Sequence, residues 1–268
     1  MSADLTGLMH RAAIAAAEAI MGVYRRDFEA VAKADGSPVT EADEKAERII
    51  LAHLAETGVP VLAEESVAAG RIPELGERFF VVDPLDGTKE FVKRNGEFTV
   101  NIGYCEQGAP VRGVVRAPAT DDIYWGGPEG AFYGKVVEGA IQDVRTLKVL
   151  NIGPLRIVAS RSHGHAALAD LCNVLEVTED VSVGPSLKFC LLARGAAQLY
   201  PRFTPTMEWD TAAGQAILQA AGGVVLGLDG APLTCGHPDR DFLNGWFVAA
   251  ATEELARRAL LEMARHAG

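Results

Sequence analysis

The sequence predicts a mixed α and β protein, α+β in its first half and α/β in its second, and two patterns carry this prediction. In the first half, short apolar runs follow one another with connections too short for crossover helices, which is typical of an antiparallel sheet. After residue 150, strand-like runs alternate with runs of helical periodicity, which is typical of an α/β arrangement. No internal repeat or low-complexity linker separates the halves, so we expect them to be tightly joined.

Two helices are expected before any strand. From Leu5 onward, apolar side chains recur at helical spacing, at Leu8, Met9, Ala12, Ala16 and Ile20. A second helix is predicted from Thr40 through Leu54, where Thr40-x-x-Asp43 fits a capping box. Both helices would pack on the sheet that follows them.

Six strands make up the predicted antiparallel sheet. They are expected at 60–64, 78–83, 98–105, 112–117, 121–126 and 130–135. Pro84 has no backbone N–H, so the ladder of the second of these strands should end at Asp83.

The second half is predicted to contain four strands and four helices. The strands are expected at 155–160, 196–200, 223–226 and 246–250, and the helices near 166–175, 187–193, 211–221 and 253–266. We place a domain boundary near residue 150, between an N-terminal domain (1–150) and a C-terminal domain (151–268). A cleft between the halves is the expected place for a ligand site.

The composition limits the classes of partner and compartment. The chain has 268 residues, with 25 basic and 36 acidic side chains and a formal net charge of −11, which argues against a surface that binds duplex nucleic acid. An anionic substrate would need hard divalent cations to bridge it to carboxylates. The four cysteines form no CxxC pair, so neither a zinc site nor a disulfide framework is predicted. No signal peptide or membrane-spanning run is recognisable, so we expect a cytoplasmic protein.

The run DPLDGTKEF, residues 83 to 91, is the strongest candidate site in the sequence. Asp83, Asp86 and the carbonyl of Leu85 can place three oxygens in one small volume, as a divalent cation requires. Gly87 and Thr88 add backbone N–H groups and a hydroxyl that suit a phosphate oxygen or a water. Asp-Pro-Leu-Asp-Gly alone would be typical of a surface turn, but the full run behind a buried strand favours a site.

Four further acidic residues, at three places in the chain, and one lysine are candidates, and each place has an ordinary structural alternative. Glu64-Glu65 would reach the same sheet edge as the aspartate pair, or would be a solvated strand end. Asp43 would cap its helix, hold an outer ion, or do both. Asp210 precedes a predicted helix, where helix capping is the ordinary explanation. Lys188 lies in the first turn of a helix, where the macrodipole disfavours a cation, so it would bind a ligand or be a solvated surface lysine.

Taken together, these segments resemble the magnesium-dependent, lithium-sensitive phosphatases of the inositol monophosphatase superfamily. The resemblance rests on Glu64-Glu65, on DPLDGT at 83–88 and on WDTAAG at 209–214, whose order and spacing span almost the whole chain. Within the superfamily, the chain is most similar to the 3′(2′),5′-bisphosphate nucleotidases of the CysQ type, in the segments SPVTEAD (37–43), TKEF (88–91), SRSH (160–163), SLKFC (186–190) and LYPRF (199–203). The resemblance implies a layered αβαβα sandwich.

The resemblance also implies a metal site that holds two or three Mg²⁺ ions and is inhibited by Li⁺. Glu64, Asp83 and the carbonyl of Leu85 would bind one ion, and Asp83, Asp86 and Asp210 would bind a second. A third ion would be held loosely near Glu64. Without metal, these crowded carboxylates would raise one another's pKa.

The implied chemistry is in-line attack by water with no phosphoenzyme. Thr88 would help to remove a proton from the attacking water together with Glu64 or Asp43, so these three residues are the expected catalytic groups. The backbone amides of Gly87 and Thr88 would hold the phosphate oxygens.

The implied substrate is adenosine 3′,5′-bisphosphate, cleaved to AMP and phosphate, with the 2′-phosphate isomer and the sulfated parent nucleotide as secondary substrates. Arg202 and Lys188 would favour a second phosphate where inositol phosphatases have an acidic residue, although Arg202 could equally make a salt bridge within the fold. His163 would contact the nucleotide or be an exposed residue at a helix start. The expected substrate contacts are Leu85, Asp86, Gly87, Thr88, Ser160, His163, Gly184, Lys188, Arg202 and Asp210.

Other functions remain open at this point. A haloacid-dehalogenase phosphatase has a similar motif, but with one residue between its aspartates, whereas this chain has two. An inositol monophosphatase or related sugar phosphatase would share the chemistry with another substrate, and a non-catalytic nucleotide or metal sensor would share only the fold. A homodimer and association with the inner membrane face are also left open.

Overall fold

The structure is a computed structural model that describes residues 4–32, 36, 38–159, 166–181 and 187–267. Helix α1 (Leu5–Tyr24) buries the apolar stripe that its spacing predicts, including Leu8, Ala12 and Ile20. Helix α2 (Glu41–Leu54) begins directly after Thr40, and the predicted capping box is present. Both first helices are therefore confirmed.

A short hairpin lies between these two helices. Strand β1 (Ala30–Ala32) pairs antiparallel with β2 (Pro38–Thr40), so the expectation that two helices precede any strand is wrong. Strands of three residues are too short for an alternating pattern to stand out in a sequence.

The first sheet has the strand order β3-β4-β5-β6-β7-β8-β9. Its strands are β3 (Val61–Ala63), β4 (Arg78–Asp86), β5 (Thr99–Glu106), β6 (Ala109–Ala117), β7 (Asp122–Gly127), β8 (Gly130–Val137) and β9 (Ala140–Leu147). All neighbouring pairs are antiparallel except β3 with β4, which are parallel and are joined through α3 (Glu64–Ala68), so the predicted meander is wrong at this pair. Strand β9 was not predicted, because this edge strand is mostly exposed and carries few apolar residues.

Strand β4 continues past the proline. After a register shift between Asp83 and Asp86, pairing with β5 resumes with Asp86 opposite Thr99, so the expected end of the ladder at Asp83 is wrong. Pro84 therefore interrupts the ladder without ending it. Irregularities of this kind bend a strand and re-aim its side chains. Helix α4 (Thr88–Val92) follows directly.

The second half contains a five-stranded sheet with the order β11-β10-β12-β16-β14. Its strands are β10 (Arg156–Ile157), β11 (Glu179–Asp180), β12 (Leu199–Arg202), β14 (Val224–Gly227) and β16 (Phe247–Ala250), and β13 (Thr206–Met207) pairs separately with β15 (Leu243–Asn244). Its helices are α5 (Ala166–Val174), α6 (Leu187–Ala193), α7 (Ala212–Ala220) and α8 (Glu253–Ala264). All four predicted helices are confirmed, whereas β11, β13 and β15, each of two residues, were not predicted.

The elements stack in five layers, in the order αβαβα. Helices α1 and α2 cover one face of the seven-stranded sheet, and α6 and α7 fill the space between the two sheets. Helices α5 and α8 cover the far face of the five-stranded sheet. This layered arrangement confirms the predicted fold class. The first sheet ends at Leu147 and the next strand begins at Arg156, and the division into two domains near residue 150 stays a prediction.

Helix α7 lies unusually close to the first sheet, and two glycines permit the approach. A Cβ atom at Gly113 would stand 2.1 Å from the carbonyl oxygen of Ala213, and one at Gly126 would stand 2.7 Å from the Cα atom of Ile217. The N-terminal end of α7 is thereby brought to the sheet edge that carries the DPLDGT run. Among the helices in the described ranges, none combines the length and the apolar composition needed to cross a bilayer.

Candidate active site

Three carboxylates from two distant parts of the chain meet at the edge of the first sheet. Asp83 and Asp86 come from the bulged end of β4, and Asp210 comes from the 3₁₀ turn Glu208–Asp210 in front of α7. One carboxylate oxygen of each residue lies within 4.8 Å of the others. The two halves of the chain therefore both contribute to one acidic cluster.

Burial and mutual repulsion make it unfavourable for all the carboxyl groups of this cluster to be ionised together. Burial raises the pKa of Asp83 well above its ordinary value, and the charges of Glu64, Asp86 and Asp210 raise it further. Burial also raises the pKa of Asp210 to about 7, with smaller contributions from Asp86 and Glu64. A carboxyl group whose pKa is raised by folding stabilises the fold less as pH rises through that pKa. At neutral pH the cluster therefore calls for a compensating cation.

Asp86 is held by an amide whose orientation is fixed. The Asn101 side-chain nitrogen donates to Asp86 Oδ2 at 3.3 Å. The hydroxyl of Thr99 donates to Asn101 Oδ1 at 2.9 Å, so the amide presents its N–H₂ group to the carboxylate. Asn101 was not predicted as a site residue, and the available signal was its position between the apolar residues Val100 and Ile102 of β5.

The Asp210 carboxylate is held by hydrogen bonds from residues that precede it in the chain. Its Oδ2 atom accepts from the hydroxyl of Thr206 and from the backbone N–H of Met207, the latter at 3.1 Å. Asp210 thus closes its own 3₁₀ turn, and the N-cap residue of α7 is Thr211. Capping of α7 by Asp210 stays a prediction. Thr206 was not predicted as a site residue, and the available signal was the spacing Thr206-x-x-x-Asp210.

Asp43, Thr88 and Leu85 form a connected chain of polar atoms next to the cluster. Asp43 Oδ2 accepts from the N–H and from the hydroxyl of Thr40, at 2.8 Å each, which leaves Oδ1 to face Thr88 Oγ1 at 3.0 Å. Thr88 Oγ1 also lies 3.1 Å from the carbonyl oxygen of Leu85. Burial raises the pKa of Asp43 to about 6, against the opposing hydrogen bonds from Thr40. Asp43 therefore caps its helix and contacts the site at the same time.

Glu64 starts a helix and does not end a strand. Strand β3 ends at Ala63, and Glu64 and Glu65 form the first turn of α3, so the expected strand end at residue 64 is wrong. The negative charge of Glu64 contributes to the raised pKa of both Asp83 and Asp210. Glu64 therefore belongs to the electrostatic environment of the cluster.

Gly87 gives the DPLDGT turn its shape. Its φ of +93° lies in the left-handed region, and a Cβ atom there would stand 3.0 Å from the carbonyl oxygen of Glu97. Only glycine fits this backbone without strain. The turn brings Thr88 to the start of α4 and toward Asp43.

Lys188 and Arg202 place two cations beside the acidic cluster. Lys188 is 4% exposed, so the alternative of a solvated surface lysine is wrong, and its ammonium lies 5.6 Å from the centre of the Tyr200 ring. Burial lowers the pKa of Lys188 to about 8, while Asp86 raises it and Arg202 lowers it. Arg202 donates to the carbonyl of Thr204 at 3.1 Å and forms no salt bridge that the structure describes.

Three predicted substrate contacts lie outside the described residues: Ser160, His163 and Gly184. Among the remaining predicted site residues, Glu64 and Lys188 interact electrostatically with the clustered aspartates, and Thr88 links Asp43 to the carbonyl of Leu85. The cluster fits a hard divalent cation, because all of its donors are carboxylate oxygens, they lie within the span of one coordination sphere, and burial makes their uncompensated charge costly. Within the described ranges, no other group of three or more metal-ligating side chains comes together.

Comparison with known proteins gives a consistent picture. The sequence model of the inositol monophosphatase family matches residues 2–266. The chain is 44% identical over 236 residues to the 3′(2′),5′-bisphosphate nucleotidase CysQ of Escherichia coli (strain K12), with 87% of this chain and 94% of that protein covered.

Solved structures agree with these sequence matches. The crystal structure of CysQ from Bacteroides thetaiotaomicron, a bacterial member of the inositol monophosphatase family, superposes with a TM-score of 0.79 at 37% identity, covering 94% of this chain and 99% of that one. The IMPase of Thermotoga maritima superposes with a TM-score of 0.77 at 22% identity, covering 99% and 100%, and supports the fold alone.

Proposed function

Because the chain belongs to the inositol monophosphatase family, we propose that it is a metal-dependent phosphatase that removes the 3′-phosphate of adenosine 3′,5′-bisphosphate. The single observation that carries this proposal is the meeting of Asp83, Asp86 and Asp210 in one buried cluster, in a chain whose similar proteins include CysQ nucleotidases. The products are AMP and inorganic phosphate. The family match leaves the haloacid-dehalogenase alternative without support.

The proposed metal ligands are five oxygen-bearing residues. Glu64, Asp83 and the carbonyl of Leu85 would hold one Mg²⁺ ion, and Asp83, Asp86 and Asp210 would hold a second, with a third ion near Glu64. When bound, the ions supply Lewis-acid stabilisation of phosphate charge and make a water molecule more acidic. Li⁺ is expected to inhibit.

The residues around the cluster would move the proton of the attacking water. Thr88 Oγ1 can accept a hydrogen bond from that water while it donates its own proton to Asp43 Oδ1, 3.0 Å away. Thr40 occupies the other oxygen of Asp43 and so keeps Oδ1 turned toward Thr88. The amides of Gly87 and Thr88 would donate to the phosphate oxygens, and the left-handed φ of Gly87 supports this arrangement.

Substrate choice would depend on the two cations beside the cluster. Lys188 is buried against Tyr200, and Arg202 follows Tyr200 by two residues on β12. A bidentate guanidinium and a desolvated ammonium both suit a phosphate, whereas neither suits an uncharged polyol. We therefore assign them to the 5′-phosphate, with the 2′-phosphate isomer and the sulfated nucleotide as further substrates.

Replacing Arg202 with alanine is expected to lower kcat/KM for adenosine 3′,5′-bisphosphate by about 10- to 100-fold, the worth of a charge-assisted hydrogen bond to phosphate. The same variant should cleave adenosine 3′-monophosphate within about threefold of the wild type, because that compound lacks the second phosphate. Steady-state kinetics with both substrates measure this. Arg194→Ala removes an exposed arginine directly after the end of α6 and serves as the matched control. Equal losses on the two substrates would contradict the assignment.

One assay tests the proposed function as a whole. Phosphate release is measured from adenosine 3′,5′-bisphosphate, inositol 1-phosphate and fructose 1,6-bisphosphate, first with Mg²⁺, then with EDTA and then with added Li⁺. We expect a clear preference for the nucleotide, loss of activity in EDTA and inhibition by Li⁺. A preference for inositol 1-phosphate would replace the substrate and keep the chemistry. No release from any of the three would favour a non-catalytic sensor.

A further inference from the structure

Glu47 is a buried carboxylate that the proposed mechanism does not use. Its side chain is 3% exposed, and it lies on α2 one turn after Asp43, on the same face of the helix. A carboxylate this deeply buried is costly unless hydrogen bonds compensate it. The hydrogen-bond partners of Glu47 therefore indicate its structural role.

Both oxygens of Glu47 are directed at the start of α3. Oε2 accepts from the backbone N–H of Glu65 at 2.7 Å, and Oε1 accepts from the hydroxyl of Ser66 at 2.6 Å. The two short contacts form a fork that ties α2 to the first turn of α3, 18 and 19 residues further along the chain.

Helix α3 needs this contact because its own N-cap cannot supply it. The N-cap residue is Ala63, and no side-chain capping hydrogen bond is present there. The first N–H groups of a helix have no partner within the helix, so an oxygen from elsewhere must satisfy them. Glu47 supplies that oxygen from a neighbouring element.

The peptide bond that Glu47 holds joins Glu64 to Glu65. Because a peptide unit is planar, fixing the N–H of Glu65 also fixes the carbonyl of Glu64 and limits the direction of the Glu64 side chain. Four residues earlier on the same helix, Asp43 contacts Thr88 on the other side of the site. Helix α2 thus contacts two of the three segments that carry the acidic site, the start of α3 and the DPLDGT run, whereas Asp210 comes from a third.

We propose that Glu47 is a positioning residue that sets Glu64 against Asp83 and so tunes the affinity of the site for divalent cations. The proposal deepens the proposed function and rests on it. Glu47 is not one of the proposed ligands of the ions or the substrate, and it acts through the start of α3, by way of the Glu65 N–H and the Ser66 hydroxyl. Removing the Glu47 carboxylate should therefore raise the Mg²⁺ dissociation constant while the protein still folds.

The test is Mg²⁺ titrated into substrate-free protein by isothermal calorimetry, for the wild type, Glu47→Ala and Glu47→Gln. Glu47→Ala is expected to raise the Mg²⁺ dissociation constant by about 10-fold or more, as losses of residues that orient metal ligands do. Glu47→Gln keeps an acceptor for the N–H of Glu65 and should stay within about threefold of the wild type. Phosphate release should need correspondingly more Mg²⁺ in Glu47→Ala.

The matched control is Glu262→Ala. Glu262 is also a buried carboxylate, 6% exposed, but it lies on α8 on the far side of the second sheet and accepts from Arg265 Nη1 at 2.6 Å. Its loss should lower Tm and leave the Mg²⁺ affinity unchanged. If Glu47→Ala does not fold, Glu47→Asp, which withdraws the carboxylate by one methylene, should weaken Mg²⁺ binding in the same direction.

Mg²⁺ affinity within twofold of the wild type in Glu47→Ala, or in Glu47→Asp if the alanine variant does not fold, would overturn the proposal, as would an equal loss in Glu262→Ala. The substrate assignment is tested separately, by phosphate release from the wild type. If the wild type binds Mg²⁺ but does not cleave the bisphosphate, the proposed substrate fails and the comparison of affinities still decides the role of Glu47.

Discussion

Asp86→Asn is expected to lower phosphate release by about 10³-fold or more, because it removes one of the charges on which the hold on divalent cations depends. Asparagine has the same shape, and it keeps an oxygen that can accept from Asn101 as Asp86 Oδ2 does. The fold should therefore be preserved. In EDTA, Tm should stay unchanged or rise, because the variant removes a charge that raises the pKa of Asp83 and Asp210.

The matched control for this variant is Asp143→Asn. Asp143 is exposed on edge strand β9, and its φ of 53° is one that asparagine tolerates. This substitution makes the same change of charge far from the cluster, so activity and Tm should both stay near the wild type. Kinetics over a range of Mg²⁺ concentrations, together with thermal melts in EDTA, measure the two effects. Near-normal turnover in Asp86→Asn would contradict the assignment of the site.

Thr88→Ala and Asp43→Asn are each expected to lower kcat by about 10²- to 10⁴-fold, the range of general acid–base catalysis. In Asp43→Asn, the oxygen that accepts from Thr40 can remain, and the new N–H₂ group then faces Thr88 and reverses the polarity of that contact. The Thr88 hydroxyl would lose its proton acceptor. The double variant should be about as slow as the slower single variant, because the two residues act as a unit.

The same pair predicts a pH dependence with a definite sign. Since burial raises the pKa of Asp43 to about 6, its carboxylate becomes protonated as pH falls through that value and can no longer accept from Thr88. Activity should therefore decline below about pH 6. Plots of kcat against pH should show this decline shifted or absent in Asp43→Asn and retained in Thr88→Ser, which keeps a hydroxyl. An identical pH profile in the wild type and Asp43→Asn, or fully additive single losses, would argue against the proton path.

Long elements with strong periodicity were the parts of the fold that the sequence predicted well. α1 begins at the expected residue, and α2, α7 and α8 appear close to their expected bounds, because each buries an apolar stripe. The errors fall on short or exposed elements. β1 and β2 are three residues long, and the edge strand β9 is polar, so neither case gives a readable alternation.

Irregular backbone was the second source of error. Pro84 was expected to end β4, because a proline cannot donate to the ladder. In the structure, the register of β4 against β5 instead shifts at the proline, and pairing resumes at Asp86. Likewise Glu64 was placed at a strand end, whereas it opens α3 with an amide of its first turn held by Glu47 from another helix. Only contacts made across the fold decide such cases.

The sequence by itself determined the residue types of the candidate site, the fold class and the family. The motifs around Glu64, Asp83 and Asp210 are short runs of residues, and their identity and order along the chain can be read without the structure. The tertiary structure decided which oxygen faces which partner. Asp43 toward Thr88, Asn101 toward Asp86 and Glu47 toward α3 join residues 15 to 45 positions apart. A sequence pattern records spacing along one strand or helix, whereas these contacts depend on how α2, β4 and β5 pack, which no short stretch of residues encodes.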